Sequence, residues 1–315
     1  MSPSDLLARG GAPVVVLAGG TGGAKLARGM LDVVGPDELV VIANTGDDIE
    51  IYGAHVSPDP DLITFWLADL IDDRGWGLAG DSFKTMDGLR ELGVDAWFNL
   101  GDKDLAIGLQ RARALSAGER LTDAQTAVAE AVGVGASVLP MTDYPVRTRV
   151  LTGGAWWPIQ EFLITRGGEG PVEDVEFRGA AHARPTAEVL AAITNARAIV
   201  IGPSNPVISI GPILAVAGIR SVLTDSAAPV VGVSPLVGGK VVKGPTEPFM
   251  EWTGEPMTST GIARLYEGLV DGLVADERTE LVPVLETDVL MDDPAARARV
   301  AEEALRFALA LGGGN

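Results

Sequence analysis

The chain has no cysteine and only two histidines, His55 and His182. Disulfides, thiolate zinc sites and cysteine nucleophiles are excluded, and a histidine-rich metal centre cannot be assembled. Any bound metal must rest mainly on carboxylates, which favours a hard cation such as Mg²⁺ or Mn²⁺. Basic residues are scarce: 24 Lys and Arg stand against 43 Asp and Glu, for a net charge of −19. That balance argues against a nucleic-acid partner held by a basic surface, and a polyanionic small molecule would need local cations rather than global steering. No apolar run reaches the roughly 20 residues of a membrane span, so no membrane partner is expected. A basic-then-apolar leader is missing from the N-terminal residues, and no polar or Pro-rich linker divides the chain. Apolar residues still make up 47% of the 315, enough for a sizeable core.

What the sequence does hold is a glycine cluster behind an apolar run. Pro13-Val14-Val15-Val16-Leu17-Ala18 leads into Gly19-Gly20-Thr21-Gly22-Gly23 and then into a helix-forming stretch. A buried strand, a backbone free of Cβ atoms and a helix N-terminus, in that order, are how α/β proteins build a phosphate site. The loop is not a Walker A motif, because Gly23 is followed by Ala24, Lys25 and Leu26 rather than by Lys and a hydroxyl residue. Nor is it the dinucleotide fingerprint: counting from Gly20 and Gly22, the last glycine position is occupied by Lys25.

The order of elements predicts an α/β fold with a Rossmann-like parallel-sheet core. A strand over 14–18, a helix over 24–33 and a strand over 38–43 make a βαβ opening. Helices are expected over 61–71, 81–92, 103–115 and 122–132, with a short strand over 96–100. Residues 137–182 consist of short β-rich segments, 161–165 among them, and read as an inserted subdomain within a single domain spanning 1–315. From Pro185 the α/β rhythm returns, with strands over 198–201, 229–233 and near Leu273, and a terminal helix over 294–311.

Loops at strand C-termini are where such folds place their sites. Asn44-Thr45-Gly46-Asp47-Asp48 follows the second strand, and its acidic pair suits either a divalent cation or an Asx turn. In Pro58-Asp59-Pro60-Asp61 the last aspartate can serve the site or cap its helix. Gly101-Asp102-Lys103-Asp104 sets Lys103 near a helix start, where it can meet a phosphate. In Gly202-Pro203-Ser204-Asn205-Pro206, Asn205 can pair with a base edge and Ser204 or Ser209 can reach phosphate, or the segment is a rigid turn. His55 lies among the aspartates and is a candidate for substrate contact; His182 reads as structural. A phosphate loop joined to several strand-end aspartates suggests metal-assisted phosphate chemistry.

Taken in order, these motifs, with Leu139-Pro140-Met141-Thr142-Asp143, resemble the CofD/FbiA family. Its members are the 2-phospho-L-lactate and phosphoenolpyruvate transferases of coenzyme F420 biosynthesis. The resemblance implies transfer of a phosphoenolpyruvyl or phospholactyl group from a guanosine diphosphate-linked donor to the terminal ribityl hydroxyl of the deazaflavin Fo, with GMP leaving. It also implies Mg²⁺ dependence, a cytoplasmic location and a homodimer. On this chain it assigns Gly19, Gly20, Thr21, Gly22, Gly23 and Asn205 to the guanosine diphosphate portion and Asp61 and Lys103 to the deazaflavin, while Lys25, Asn44 and Ser204 are further candidates for substrate binding. Asp47, Asp48 and Asp61 are then the residues for metal binding and proton transfer, and Asp61→Ala is expected to abolish transfer with the fold intact. The gluconeogenesis-factor-like regulators, which bind nucleotide sugars, share the glycine loop and the Asn-to-Asp-Asp segment. They typically continue it with a Gly/Ser-rich stretch, whereas this chain continues Ile49-Glu50-Ile51-Tyr52-Gly53 and carries the Pro58 to Asp61 segment. A nicotinamide oxidoreductase is disfavoured by the failed glycine fingerprint.

Overall fold

Seven parallel strands form the centre of the protein, with helices on both faces. A computed structural model describes residues 11–313. In chain order, β1 (Val14–Ala18), α1 (Gly20–Val34) and β2 (Leu39–Ala43) are followed by a hairpin of β3 (Ile49–Ile51) and β4 (Ala54–Val56). Four helices come next: α2 (Pro58–Leu67), α3 (Lys84–Glu91), α4 (Asp102–Ser116) and α5 (Leu121–Ala131). Then come β5 (Ser137–Pro140), β6 (Arg147–Thr152), β7 (Ala155–Pro158), α6 (Ile159–Thr165), β8 (Asp174–Arg178), α7 (Ala187–Thr194) and β9 (Ala198–Ile201). A π-helical turn, Pro206–Ile210, leads into α8 (Gly211–Ala215), α9 (Ile219–Thr224), β10 (Val230–Val233), β11 (Leu236–Val237) and β12 (Lys240–Val241). The chain closes with α10 (Thr246–Thr253), α11 (Ser259–Leu265), β13 (Gly272–Ala275), β14 (Val284–Glu286) and α12 (Pro294–Gly312).

The strand order β14-β13-β10-β9-β1-β2-β5 explains the composition of β1. Val14-Val15-Val16-Leu17-Ala18 has neighbours on both edges and helices on both faces, and every residue is buried. A continuous apolar run is what a doubly covered parallel strand needs. Val14 and Val16 join one core with α1 and α12, while Val15 and Leu17 join the core on the other face. Helix α1 packs against α2 and α12.

From β1 the chain crosses to β2 on one side, whereas β9 leads to β10 on the other. The crevice above β1 and β9 is therefore a topological switch point, where open α/β sheets bind ligands. The register brings the loops there together, with Ala18 opposite Ala43 and Leu17 opposite Ile201.

Three segments depart from the sequence-based expectation. Residues 137–140 do not belong to the insertion; they pair with β2 as the edge strand of the main sheet. The inserted β structure is the three-stranded antiparallel sheet β7-β6-β8. Within it, 161–165 is helical: Ile159, Phe162 and Leu163 recur at helical spacing and turn one face to a small core. Residues 96–100 alternate as a strand would, but Ala96, Phe98 and Leu100 satisfy that pattern by packing beside β3, β4 and α4 rather than by pairing. Helices α1 and α2 each begin earlier than expected, at Gly20 and Pro58. Proline is tolerated in a first turn, whose N–H groups lack intrahelical partners.

Candidate functional site

At the switch point the ends of β1, β2 and β9 border a cleft of about 520 Å³. Its floor is the glycine loop. Gly20, with φ +61, begins α1, and its N–H donates to Asp59 Oδ1 at 2.8 Å. Several of the other glycines serve backbone packing. A Cβ at Gly22 would collide with the Pro203 carbonyl, and one at Gly23 would press on Ser204 Oγ and Ala18. The Ser204 hydroxyl donates to the Gly19 carbonyl. The loops after β1 and β9 are thus locked face to face, which leaves Gly20, Thr21 and Gly22 bordering the cleft at the positive end of α1.

Asn44 organises the acidic side. It is fully buried, and its amide nitrogen donates to Asp47 Oδ1 at 2.9 Å and to Asp59 Oδ2 at 2.8 Å. Its Oδ1 accepts from the Gly46 N–H at 2.7 Å. Two buried carboxylates therefore share one neutral amide. Burial pushes the Asp47 carboxyl well above the carboxylate range, and the charges of Asp59 and Asp48 add to it against the Asn44 bond. Asp59 is pushed up to about 6 by burial, opposed by the Gly20 and Asn44 bonds, with Asp48 adding repulsion. Such a pair is what a divalent cation neutralises, and Mg²⁺ commonly uses only one or two protein carboxylates beside substrate phosphates and water. Among the described residues, no group of three or more His, Asp or Glu side chains forms a fuller ligand set.

The other two expected aspartates are occupied elsewhere. Asp48 accepts from Ser57 Oγ at 2.7 Å and lies 3.0 Å from His55 Nε2. Burial would lower the His55 pKa, but the bonds to Asp48 and Glu50 overcome it and raise it to about 9. His55 is held between Asp48 and Glu50, outside the cleft lining. Asp61 borders the cleft, yet both its oxygens accept from Arg111, Oδ2 from Nη1 at 3.0 Å. Arg111 is wholly buried and also donates to the His55 carbonyl and to Gln125 Oε1, each at 3.0 Å. Burial pushes the Asp61 carboxyl up and Arg111 pulls it back.

Lys25 borders the cleft, 4.0 Å from Asp292. Lys103 is exposed, outside the cleft lining, and its Nζ donates to the Ala79 carbonyl at 3.2 Å. Its neighbour Asp104 lines the cleft instead, raised to about 7 by burial first and then by the charges of Asp61 and Asp81. Ser204 and Asn205 border the cleft too. The Asn205 Oδ1 is taken up by the Val207 and Ile208 N–H groups, so it caps the π-helical turn and leaves its NH₂ near Thr246. The expected residues brought together are thus Gly19, Gly20, Thr21, Gly22, Lys25, Asp47, Asp61, Ser204 and Asn205, with Asn44 beneath them. Gly23, Asp48 and Lys103 stand outside the lining.

Sequence reasoning passed over Asp59 as the partner of Asp47, and Arg111, Gln160 and Lys243 altogether. Gln160 Nε2 reaches Asp47 Oδ2 at 3.5 Å from α6. The aromatic rings of Phe65, Trp76 and Phe98 form part of the wall. Asp59 carried no separate signal: it stands with Asp61 in a segment that reads equally well as a helix start, and both border the cleft.

The sequence profile of the 2-phospho-L-lactate transferase CofD family matches residues 14–301. A 2-phospho-L-lactate transferase of Methanosarcina mazei is 37% identical over 266 residues, covering 84% of this chain and 87% of that protein. A phosphoenolpyruvate transferase of Kitasatospora aureofaciens is 39% identical over 312 residues, covering 94% and 97%. Among solved structures, a Bacillus halodurans protein superposes with a TM-score of 0.57 at 20% identity, over 87% of this chain and 88% of that one. At that identity the likeness speaks for the fold alone. Among the described residues, no helix is long and apolar enough to cross a membrane.

Proposed function

This chain belongs to the CofD family and is a transferase; on that premise we propose that it transfers a phosphoenolpyruvyl or 2-phospho-L-lactyl group from a guanosine diphosphate-linked donor to the deazaflavin Fo. The observation that carries this reading is the joining of three chemistries in one cleft. Thr21, Gly22 and Lys25 suit the diphosphate, Asp47 and Asp59 suit a divalent cation, and Trp76 and Phe98 suit a planar ring system.

In the proposed step, the terminal ribityl hydroxyl oxygen bonds to the donor phosphorus that bears the enolpyruvyl or lactyl ester. The bond from that phosphorus to the bridging oxygen breaks, and GMP leaves with the bridging oxygen. The hydroxyl proton passes to a cleft carboxylate. Asp104, held near neutrality, has the basicity that proton transfer needs at physiological pH. Asp47 and Asp59 would hold Mg²⁺, which when bound offsets charge on the diphosphate. The chain's own part is positional: α1 directs N–H groups at the anion, Asn44 fixes the two carboxylates, and the aromatic wall holds the acceptor.

A fluorescence titration with Fo, with and without Mg²⁺ and GDP, tests the reading. Saturable Fo binding is expected. No Fo binding alongside tight binding of a nucleotide sugar would overturn it in favour of a regulator.

A further inference from the structure

The cations of the cleft come from two places far apart in the chain. Lys25 stands on α1 just past the glycine loop, and Lys243 on the loop between β12 and α10. Both border the cleft. Burial and the nearby Lys25 charge hold the Lys243 ammonium below its ordinary pKa, with Asp72 opposing. Two lysines that border one cleft would both attract an anion seated between them.

Lys243 also makes a bond that an anion seat alone would not need. Its Nζ donates to the Arg74 carbonyl at 3.0 Å. Arg74 belongs to a small unit over 71–78 that is knit together internally. Ile71 and Leu78 bridge, and the Asp72 N–H donates to the Gly77 carbonyl at 2.8 Å. The Asp72 carboxylate accepts from the N–H groups of Arg74 and Gly75 at 3.0 and 3.1 Å, and from Arg74 Nε at 2.6 Å. The Arg74 guanidinium lies 4.4 Å from the centre of the Trp76 ring. The unit thus carries Trp76, half exposed, to the cleft wall as one body. A long bond from Trp66 Nε1 to the Gly75 carbonyl, 3.4 Å, and the Lys243 bond tie it to the rest of the protein.

An ammonium has three donors, and the Arg74 carbonyl takes one. We propose that Lys243 couples the two substrates: an anion seated between Lys25 and Lys243 fixes the Lys243 side chain, which through Arg74 holds the Trp76 unit in place for the planar acceptor. This inference rests on the transferase reading above. It makes Lys243 a positioning residue for the acceptor as well as a contact for the donor.

The test is the affinity for Fo with and without saturating GDP, at fixed Mg²⁺, in the parent protein, Lys243→Ala and Lys243→Arg. In the parent, GDP should tighten Fo binding by roughly fivefold or more, and Fo should tighten GDP by the same factor, since coupling is reciprocal. In Lys243→Ala the factor should fall to about one to two, whatever loss of Fo affinity the variant shows in the absence of GDP. Lys243→Arg, which keeps donors and charge, should retain part of the coupling. An unchanged factor in Lys243→Ala, or no coupling in the parent, overturns the inference while leaving the transferase reading standing. A parent protein that binds neither Fo nor GDP overturns both.

Discussion

Replacing Asp61 by alanine should damage the fold as well as the site. The substitution leaves the Arg111 guanidinium 0% exposed, with the His55 carbonyl and Gln125 Oε1 as remaining acceptors and no counter-charge in contact. Arginine cannot shed its proton to relieve this. Removing one partner of a buried ion pair costs about 3–5 kcal/mol, against a total stability of about 5–15 kcal/mol. With an unfolding entropy of about 2.1 cal/mol/K per residue, a chain of 315 residues loses roughly 1.5 °C in Tm per kcal/mol, so a drop of about 5–8 °C is expected. The expectation that Asp61→Ala leaves the fold intact is therefore revised, because its partner is buried. Urea unfolding and thermal melts of the ligand-free protein measure the effect. The double variant Asp61→Leu/Arg111→Met removes both charges and should recover most of the loss. An Asp61→Ala melt within about 1 °C of the parent, or a double variant no better than the single one, refutes the reasoning.

Other consequences follow from the charges and the loop contacts. Asp59 has a folded pKa of about 6, above the ordinary ~3.9, so its contribution to stability is full below the ordinary value and lost as pH rises through about 6. Asp59→Asn should flatten the fall in metal-free Tm between about pH 4 and 6 and remove stabilisation by Mg²⁺ at pH 7.5; slopes equal to the parent's would count against the cation seat. His55, raised to about 9, stabilises fully below its ordinary ~6.5 and loses this as pH rises through 9. His55→Gln should therefore weaken the pH dependence of the melt between pH 6.5 and 9, by at most about 3 kcal/mol. Gly22→Ala drives a methyl into the Pro203 carbonyl, so it should lower stability by about 1–3 kcal/mol and raise the KM for the donor. A parental melt in that variant would show that the loops part freely.

Much of the frame was legible because it obeys local rules. The doubly covered strand Val14–Ala18 must be apolar throughout, and the glycines after it mark a close approach. The same holds for Ala198–Ile201 and the loop from Gly202. The acidic seat was half legible. Asp47 and Asp48 stand out at their strand end and Asp61 is legible beside them, whereas Asp59, which shares the Asn44 amide with Asp47, reads in the sequence only as part of a helix start. Pro58 in the first turn was the signal for the earlier helix start. Arg111 gave no signal: in mid-helix it looks like any surface arginine, and only the fold turns it toward Asp61, fifty residues earlier. Lys243 lay equally hidden in a glycine-rich loop that the tertiary structure folds over the cleft. Residues 96–100 show the converse, since alternation reports burial on one side and not the presence of a neighbouring strand.

The most direct test of the account is a transfer assay with Mg²⁺, Fo and each of the two synthetic guanosine diphosphate-linked donors, followed by mass spectrometry. The account predicts that Fo gains one phosphoenolpyruvyl or phospholactyl group while one GMP appears per product. Fo recovered unchanged with both donors, from protein that is folded and binds the donor, would contradict it.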